Sequence, residues 1–207
     1  MRTLTLPIQD QDILSLKVGD PVNLTGVMLT GRDAVHKWMI DTFIRKTRPP
    51  QGDDLAVYEA IRPRLEGGII YHCGPVVSGL DSGDYRFVAA GPTTSAREEP
   101  YQGEVMRHFN LKGVIGKGGM GPKTLQACQD VPGVYLHAIG GAASLIAQSV
   151  KQVLDVYKLE FGVPEAIWVI EVKDFPAVVT MDAHGESLHA AIDQRSKNVL
   201  DQLLAKA

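Results

Sequence analysis

Val114-Ile115-Gly116-Lys117-Gly118-Gly119-Met120-Gly121-Pro122-Lys123-Thr124-Leu125 joins a short apolar run to a glycine loop, and the loop to a proline suited to the first turn of a helix. Four glycines within six residues cost backbone entropy, so the loop calls for left-handed conformations or for a close approach by another group. A strand that passes through such a loop into a helix presents free N–H groups and the positive end of the helix dipole, a setting for an anion. Lys117 adds a mobile cation. Two motifs come near and fall short. Gly116-x-Gly118-x-x-Gly121 has the spacing of a dinucleotide fingerprint, but the next apolar strand, Val134–Ile139, ends in Gly140-Gly141 instead of an acidic residue. A phosphate-binding loop needs its lysine directly after the last glycine, and Pro122 intervenes. Two readings remain open at this point: an anion site, or a tight glycine connection with Lys117 in solvent.

Working outward, the chain alternates strands and helices, which predicts one α/β domain over residues 1–207 with its functional loops where strands end and helices begin. A strand over Val22–Leu29 breaks at Thr30-Gly31-Arg32-Asp33, and Ala34–Ile44 has helical spacing with Val35, Trp38 and Met39 inward. Arg32 sits at that helix mouth and His36 four residues on, either facing one ligand or left solvated beside a capping Asp33. Thr47–Gly68 is a loop followed by a short helix from Leu55 to Leu65. Gly68–Cys73 is a strand, extended by Val76-Val77 and paired as a hairpin with Tyr85–Ala90; either His72 or Cys73 is expected inside, neither as a catalyst. A long helix is predicted from Ala142 to Phe161, with Leu145, Ile146, Val150, Val153, Leu154 and Tyr157 on one face. Strands at Ala166–Val172 and Ala177–Met181, the loop Asp182-Ala183-His184-Gly185 and an amphipathic helix from Ser187 to Ala207 follow to the end.

Gly91-Pro92-Thr93-Thr94-Ser95-Ala96-Arg97-Glu98 is the second informative stretch. Ser95-x-x-Glu98 fits a capping box, which accounts for those two residues and leaves Thr93, Thr94 and Arg97 unexplained. Hydroxyls and a guanidinium crowded at one helix start form a receptor for a carboxylate, because the arginine fork matches it bidentately.

Composition narrows the function. The 207 residues are 44% hydrophobic and 22% charged, with a net charge of −3 and no basic block, so nothing marks a nucleic-acid surface. No apolar run approaches membrane-spanning length and the start lacks a signal-peptide core, so a cytoplasmic setting without membrane contact is expected. Cys73 and Cys128 are too few for a disulfide framework or for an iron–sulfur cluster, and the six histidines have no metal-binding spacing; no metal ligand is expected in this chain.

Taken together, Thr30–His36, Gly74-Pro75, Gly91–Arg97, Gly116–Gly121 and Asp182–Gly185 resemble the beta subunit of the iron–sulfur-dependent class I fumarase and L-tartrate dehydratase family, over about Leu4 to Glu186. The resemblance implies a three-layer swivelling β/β/α domain. It also implies an alpha subunit that carries three cysteines and a 4Fe–4S cluster, in an alpha2beta2-type assembly or around a beta homodimer. A small dicarboxylate would be held by Arg32, Thr94, Arg97 and Lys117, with Thr93 and Lys117 catalytic and His36, His184, Gly118 and Gly119 behind them. One departure stands out: after Arg97 the family usually has methionine, and here Glu98 and Glu99 place negative charge beside the anion site. The expected reaction is reversible hydration of fumarate to (S)-malate. L(+)-tartrate dehydration to oxaloacetate and a stand-alone anion- or nucleotide-binding module are the alternatives.

Overall fold

The computed structural model describes residues 1–205. β1 (Arg2–Thr5), α1 (Asp10–Leu14) and β2 (Pro21–Thr30) come first. α2 (Asp33–Met39) continues into a wider π-helical turn at Ile40–Ile44, and α3 (Asp54–Leu65) leads to β3 (Ile69–Tyr71). β4 (Val76–Ser78) and β5 (Arg86–Ala89) pair as a separate antiparallel hairpin. Then come α4 (Glu99–Phe109), β6 (Gly113–Gly116), α5 (Pro122–Asp130), β7 (Val134–His137) and α6 (Ala143–Ala147). β8 (Val150–Tyr157), β9 (Ile167–Met181) and α7 (Leu188–Leu204) are last.

Period-two alternation in the central strands sorts the interior into two apolar clusters. Ile69, Tyr71, Ile115, Val134 and Leu136 join Leu24, Met28, Trp168 and Ile170 on one side. Ile70, Val114 and Tyr135 point the other way, under Ile61 of α3, Val105 and Phe109 of α4, and Ala127 and Cys128 of α5. Each large apolar residue among them stabilises the fold by about 1.5–3 kcal/mol through burial. The α/β class expected from the alternation is what the structure shows.

The strand order is β1-β2-β3-β6-β7-β9-β8, with β1, β2, β3, β6 and β7 parallel. The fifteen-residue β9 runs antiparallel and pairs with β7, β8 and also β2, so β2, β3, β6, β7 and β9 form a hydrogen-bonded ring. Because β2, β3, β6 and β7 run the same way, their carboxyl ends and the loops that follow gather at one rim.

The structure corrects three expectations about elements. Ala142–Phe161 is not one helix: α6 stops at Ala147 and Val150–Tyr157 is a strand paired with β9. Its valines at 150, 153 and 156 are β-branched and suit a pleated surface, and that pairing outweighs the helical spacing. The strands at Ala166–Val172 and Ala177–Met181 are one strand, which carries Asp174 at φ 54 and Pro176 in its middle. Val76-Val77 does not extend β3 but starts the hairpin with β5. The hairpin itself and the closing helix agree with expectation, except that Lys206 and Ala207 lie outside the described residues.

The poorly legible stretch before α3 is pinned by a buried cation. Lys158, 5% exposed, bonds Asp53 and stands 2.8 Å from Asp54 Oδ1, which also accepts from Trp38 Nε1 at 2.7 Å. Among the described residues, no helix is long and apolar enough to cross a membrane.

Candidate functional site

The two informative stretches meet at the rim. Thr93 N–H donates to the His72 carbonyl at 2.7 Å, Lys117 N–H to the Thr93 carbonyl at 3.1 Å, and Ser95 N–H to the Lys117 carbonyl at 3.1 Å. Thr94 and Lys117 are bridged as neighbours in a parallel ladder. The hydroxyl-rich turn therefore lies against the continuations of β3 and β6. Thr93 Oγ1 donates to the His72 carbonyl at 2.9 Å, which leaves the lone pairs of its oxygen available.

Beneath this turn, Ser95 departs from the expected capping box. Its hydroxyl is fully buried, 2.8 Å from His72 Nδ1, and accepts from the Tyr135 hydroxyl at 2.9 Å. A Cβ at Gly116 would fall on that serine oxygen, so the glycine there is required by close approach. Gly118 and Gly119 both hold φ 81, a left-handed conformation, and the His189 ring fills the space where a Cβ at Gly119 would stand. Gly118 borders Thr94.

The arginines come from different elements. Arg32 precedes α2, with Nη1 3.0 Å from Glu165 Oε1 and Nε buried without a partner. Glu165 Oε2 accepts from Ala34 N–H at 3.2 Å and so supplies the cap expected of Asp33. Arg97 is exposed, with Nη1 3.9 Å from Asp33 Oδ2, so Asp33 stands beside both arginines. Lys117 has no ion pair among the described residues, and its stem passes Gly140. Arg32, Thr93, Thr94, Arg97 and Lys117 thus border one region of the rim.

His36 and His72 lie below it, both fully buried. His72 and Cys73 were expected on opposite faces with one of them inside; both are inside. Burial holds both imidazoles below their usual value, His72 most strongly, so each is neutral and carries one ring proton. His36 gives its proton through Nδ1 to the Arg32 carbonyl at 2.9 Å. The end of the Gln102 amide lies 2.8 Å from His36 Nε2 and 3.0 Å from His72 Nε2. Turned with its NH2 toward them, it donates to both rings, which is the arrangement two neutral imidazoles permit. A buried relay from Arg32 through His36, Gln102, His72 and Ser95 to Tyr135 therefore underlies the segments that carry the cations.

The mouth of α5, the anion setting read from the glycine loop, holds one of the protein's own carboxylates. Glu99 Oε2 accepts from Gly121 N–H at 2.7 Å and from the Thr124 hydroxyl at 2.7 Å, and Oε1 accepts from Lys123 N–H at 2.9 Å. His184 is also apart from the cation cluster, seated against α1 with Nε2 3.0 Å from the Leu14 carbonyl. Sequence reasoning passed over Gln102, Tyr135, Glu165 and His189. Their partners are distant in sequence, so no local spacing marks them.

No group of three or more His, Cys, Asp or Glu is placed to hold a metal ion among the described residues. Cys73 and Cys128 sit in different apolar clusters, and burial pushes both thiols up to about 12, so the donors present do not fit an iron–sulfur cluster.

The Fumarase C-terminus family matches residues 2–192. A Geobacillus stearothermophilus protein named for fumarate hydratase class I is 50% identical over 200 residues, covering 97% of this chain and 36% of that protein. The present protein thus spans little more than a third of that relative. A Methanocaldococcus jannaschii protein named for L(+)-tartrate dehydratase subunit beta is 37% identical over 196 residues, 94% of each. The L(+)-tartrate dehydratase subunit beta of Escherichia coli is 37% identical over 191 residues, 91% of this chain and 87% of its own length.

Proposed function

Because the chain belongs to the Fumarase C-terminus family, we propose that it is the dicarboxylate-holding subunit of a hydro-lyase that reversibly hydrates fumarate to (S)-malate. The observation that carries this reading is the gathering of Arg32, Arg97 and Lys117, from three separate segments, around Thr93 and Thr94. A four-carbon dianion needs a cationic clamp at each end, and Arg32 and Arg97 offer planar forks for carboxylates. Lys117 supplies a third charge next to Thr94. Thr93 is the acid/base group: its oxygen has free lone pairs, and its backbone is bonded to that of Lys117, the cation of the same cluster. His36 positions Arg32 through the Arg32 carbonyl.

The 4Fe–4S cluster implied by the family belongs in this proposal to an alpha partner with three cysteines, since the thiols of this chain do not fit it. The length of the Geobacillus relative beyond the matched 36% supports such a partner. An alpha2beta2-type assembly in the cytoplasm, and a swivelling three-layer arrangement of this domain, complete the reading.

A second reading, dehydration of L(+)-tartrate to oxaloacetate, is favoured by the names of the Methanocaldococcus and Escherichia relatives. A nucleotide-binding module is disfavoured, because Glu99 fills the helix mouth that a phosphate would need. Turnover of fumarate and of tartrate by the complex, reconstituted anaerobically with its three-cysteine partner, tests the proposal. Fumarate hydration is the expected outcome; turnover of tartrate alone rejects it for the second reading.

A further inference from the structure

Glu98 begins the turn into α4 and is 1% exposed, with Oε2 buried and without a hydrogen-bond partner. The groups facing it come from four places: Asp33 at the start of α2, Arg32 just before it, His72 after β3 and Tyr135 on β7. None neutralises a carboxylate here. Arg32 gives Nη1 to Glu165 at 3.0 Å, and its pull toward a charged Glu98 is smaller than the opposing effects of burial and Asp33. His72 Nδ1, at 4.0 Å, is neutral through burial and bonded to Ser95. Asp33 is itself an acid, with Oδ1 buried and unpartnered. An unpaired buried carboxylate beside a second carboxylate is strongly disfavoured, whereas a proton held between them satisfies both.

We propose that Glu98 is a positioning residue that works uncharged: it donates its proton to Asp33, so that the Glu98–Asp33 pair sets a single negative charge behind Arg32 and Arg97. Asp33 then keeps its charge for Arg97, 3.9 Å away, and the two guanidiniums retain most of their field for an incoming dianion. Burial and the Asp33 charge push the Glu98 carboxyl up to about 9 in agreement. Ionising Glu98 gives the pair a second negative charge behind the clamp and weakens it.

The inference rests on the dicarboxylate-binding reading for its kinetic arm only. Infrared spectra of the assembled complex are expected to contain a protonated-carboxyl stretching band that fades as pH rises through about 9 and is absent from Glu98→Gln and Glu98→Met. Over the same range, between about pH 8 and 10, the KM for fumarate or tartrate rises about tenfold more in the native complex than in either variant. Glu98→Met lacks both proton and amide, so the test survives if the glutamine variant fails to fold. A native complex without the band overturns the proposal whatever the substrate, and so does an equal alkaline KM rise in both variants.

Discussion

Two places on the rim attract anions, and they differ in what fills them. The mouth of α5 has the N–H groups of Gly121 and Lys123 and the Thr124 hydroxyl converging on one point, and Glu99 of the same protein occupies it. The region bordered by Arg32, Thr94, Arg97 and Lys117 has more positive charge than its own carboxylates take up: Glu165 holds Arg32 Nη1 at 3.0 Å, but Asp33 stands 3.9 Å from Arg97, and Lys117 has no ion pair among the described residues. A glycine loop entering a helix is therefore a receptor only when tertiary structure leaves it vacant. Here the loop's contribution is Lys117 and the close approach of Ser95, while the helix dipole stabilises the fold.

The largest effects separate the two places by activity. Arg97→Ala and Lys117→Ala are each expected to lower kcat/KM by the equivalent of roughly 2–5 kcal/mol, because a substrate carboxylate is left without its charged partner. Steady-state kinetics of the reconstituted complex measures this, and near-normal values remove the residue from the site. Gly116→Ala comes next. It forces Ser95 off the Tyr135 and His72 contacts, lowers stability by about 1–3 kcal/mol, and tilts Thr93 and Thr94, so denaturant midpoint and kcat fall together.

The buried histidines sharpen the contrast through pH. His36 and His72 have folded values below their usual 6.5, so the unfolded state binds more protons under mild acid. Their contribution is complete above about 6.5 and is lost as pH falls, by about 1.4 kcal/mol per pH unit for each ring until its folded value is reached. Glu98, raised to about 9, has the opposite sign: its contribution is complete below its usual 4.5 and is lost as pH rises to about 9. Thermal melts across pH should peak near 6.5, and His36→Gln should flatten the acid side. A continued rise from pH 6.5 to 9 contradicts the Glu98 assignment, and melts that do not fall on the acid side contradict the histidine one. The smallest effect belongs to Glu99→Ala. It should cost about 1 kcal/mol of stability, as loss of a helix cap does, and leave KM within about twofold; a tenfold change in KM collapses the distinction between the two places.

Much of this is legible from residues alone. Short apolar runs such as Val134–Leu136 locate the central strands, and the stretches Thr93–Arg97 and Gly116–Gly121 locate the rim, because turns and strands are written locally. Val150–Tyr157 misleads because Val150, Val153, Leu154 and Tyr157 have helical spacing, while the strand buries Val150, Val153, Val156 and Tyr157 only in part and leaves Leu154 exposed, so that pairing with β9 decides. Ser95-x-x-Glu98 satisfies a local motif that stronger distant partners override, His72 and Tyr135 for Ser95 and Asp33 for Glu98. The carboxylates that fill the helix mouths, Glu99 for α5 and Glu165 for α2, are 22 and 131 residues from the N–H groups they cap, beyond the reach of any spacing rule.

The most direct test is a crystal structure of the assembled complex with a bound C4 dicarboxylate. The account predicts its carboxylates on Arg32, Arg97 and Lys117, beside Thr93 and Thr94, with Glu99 still accepting from Gly121 and Lys123. A dicarboxylate seated on the N–H groups of Gly121 and Lys123, with Glu99 displaced, would contradict it.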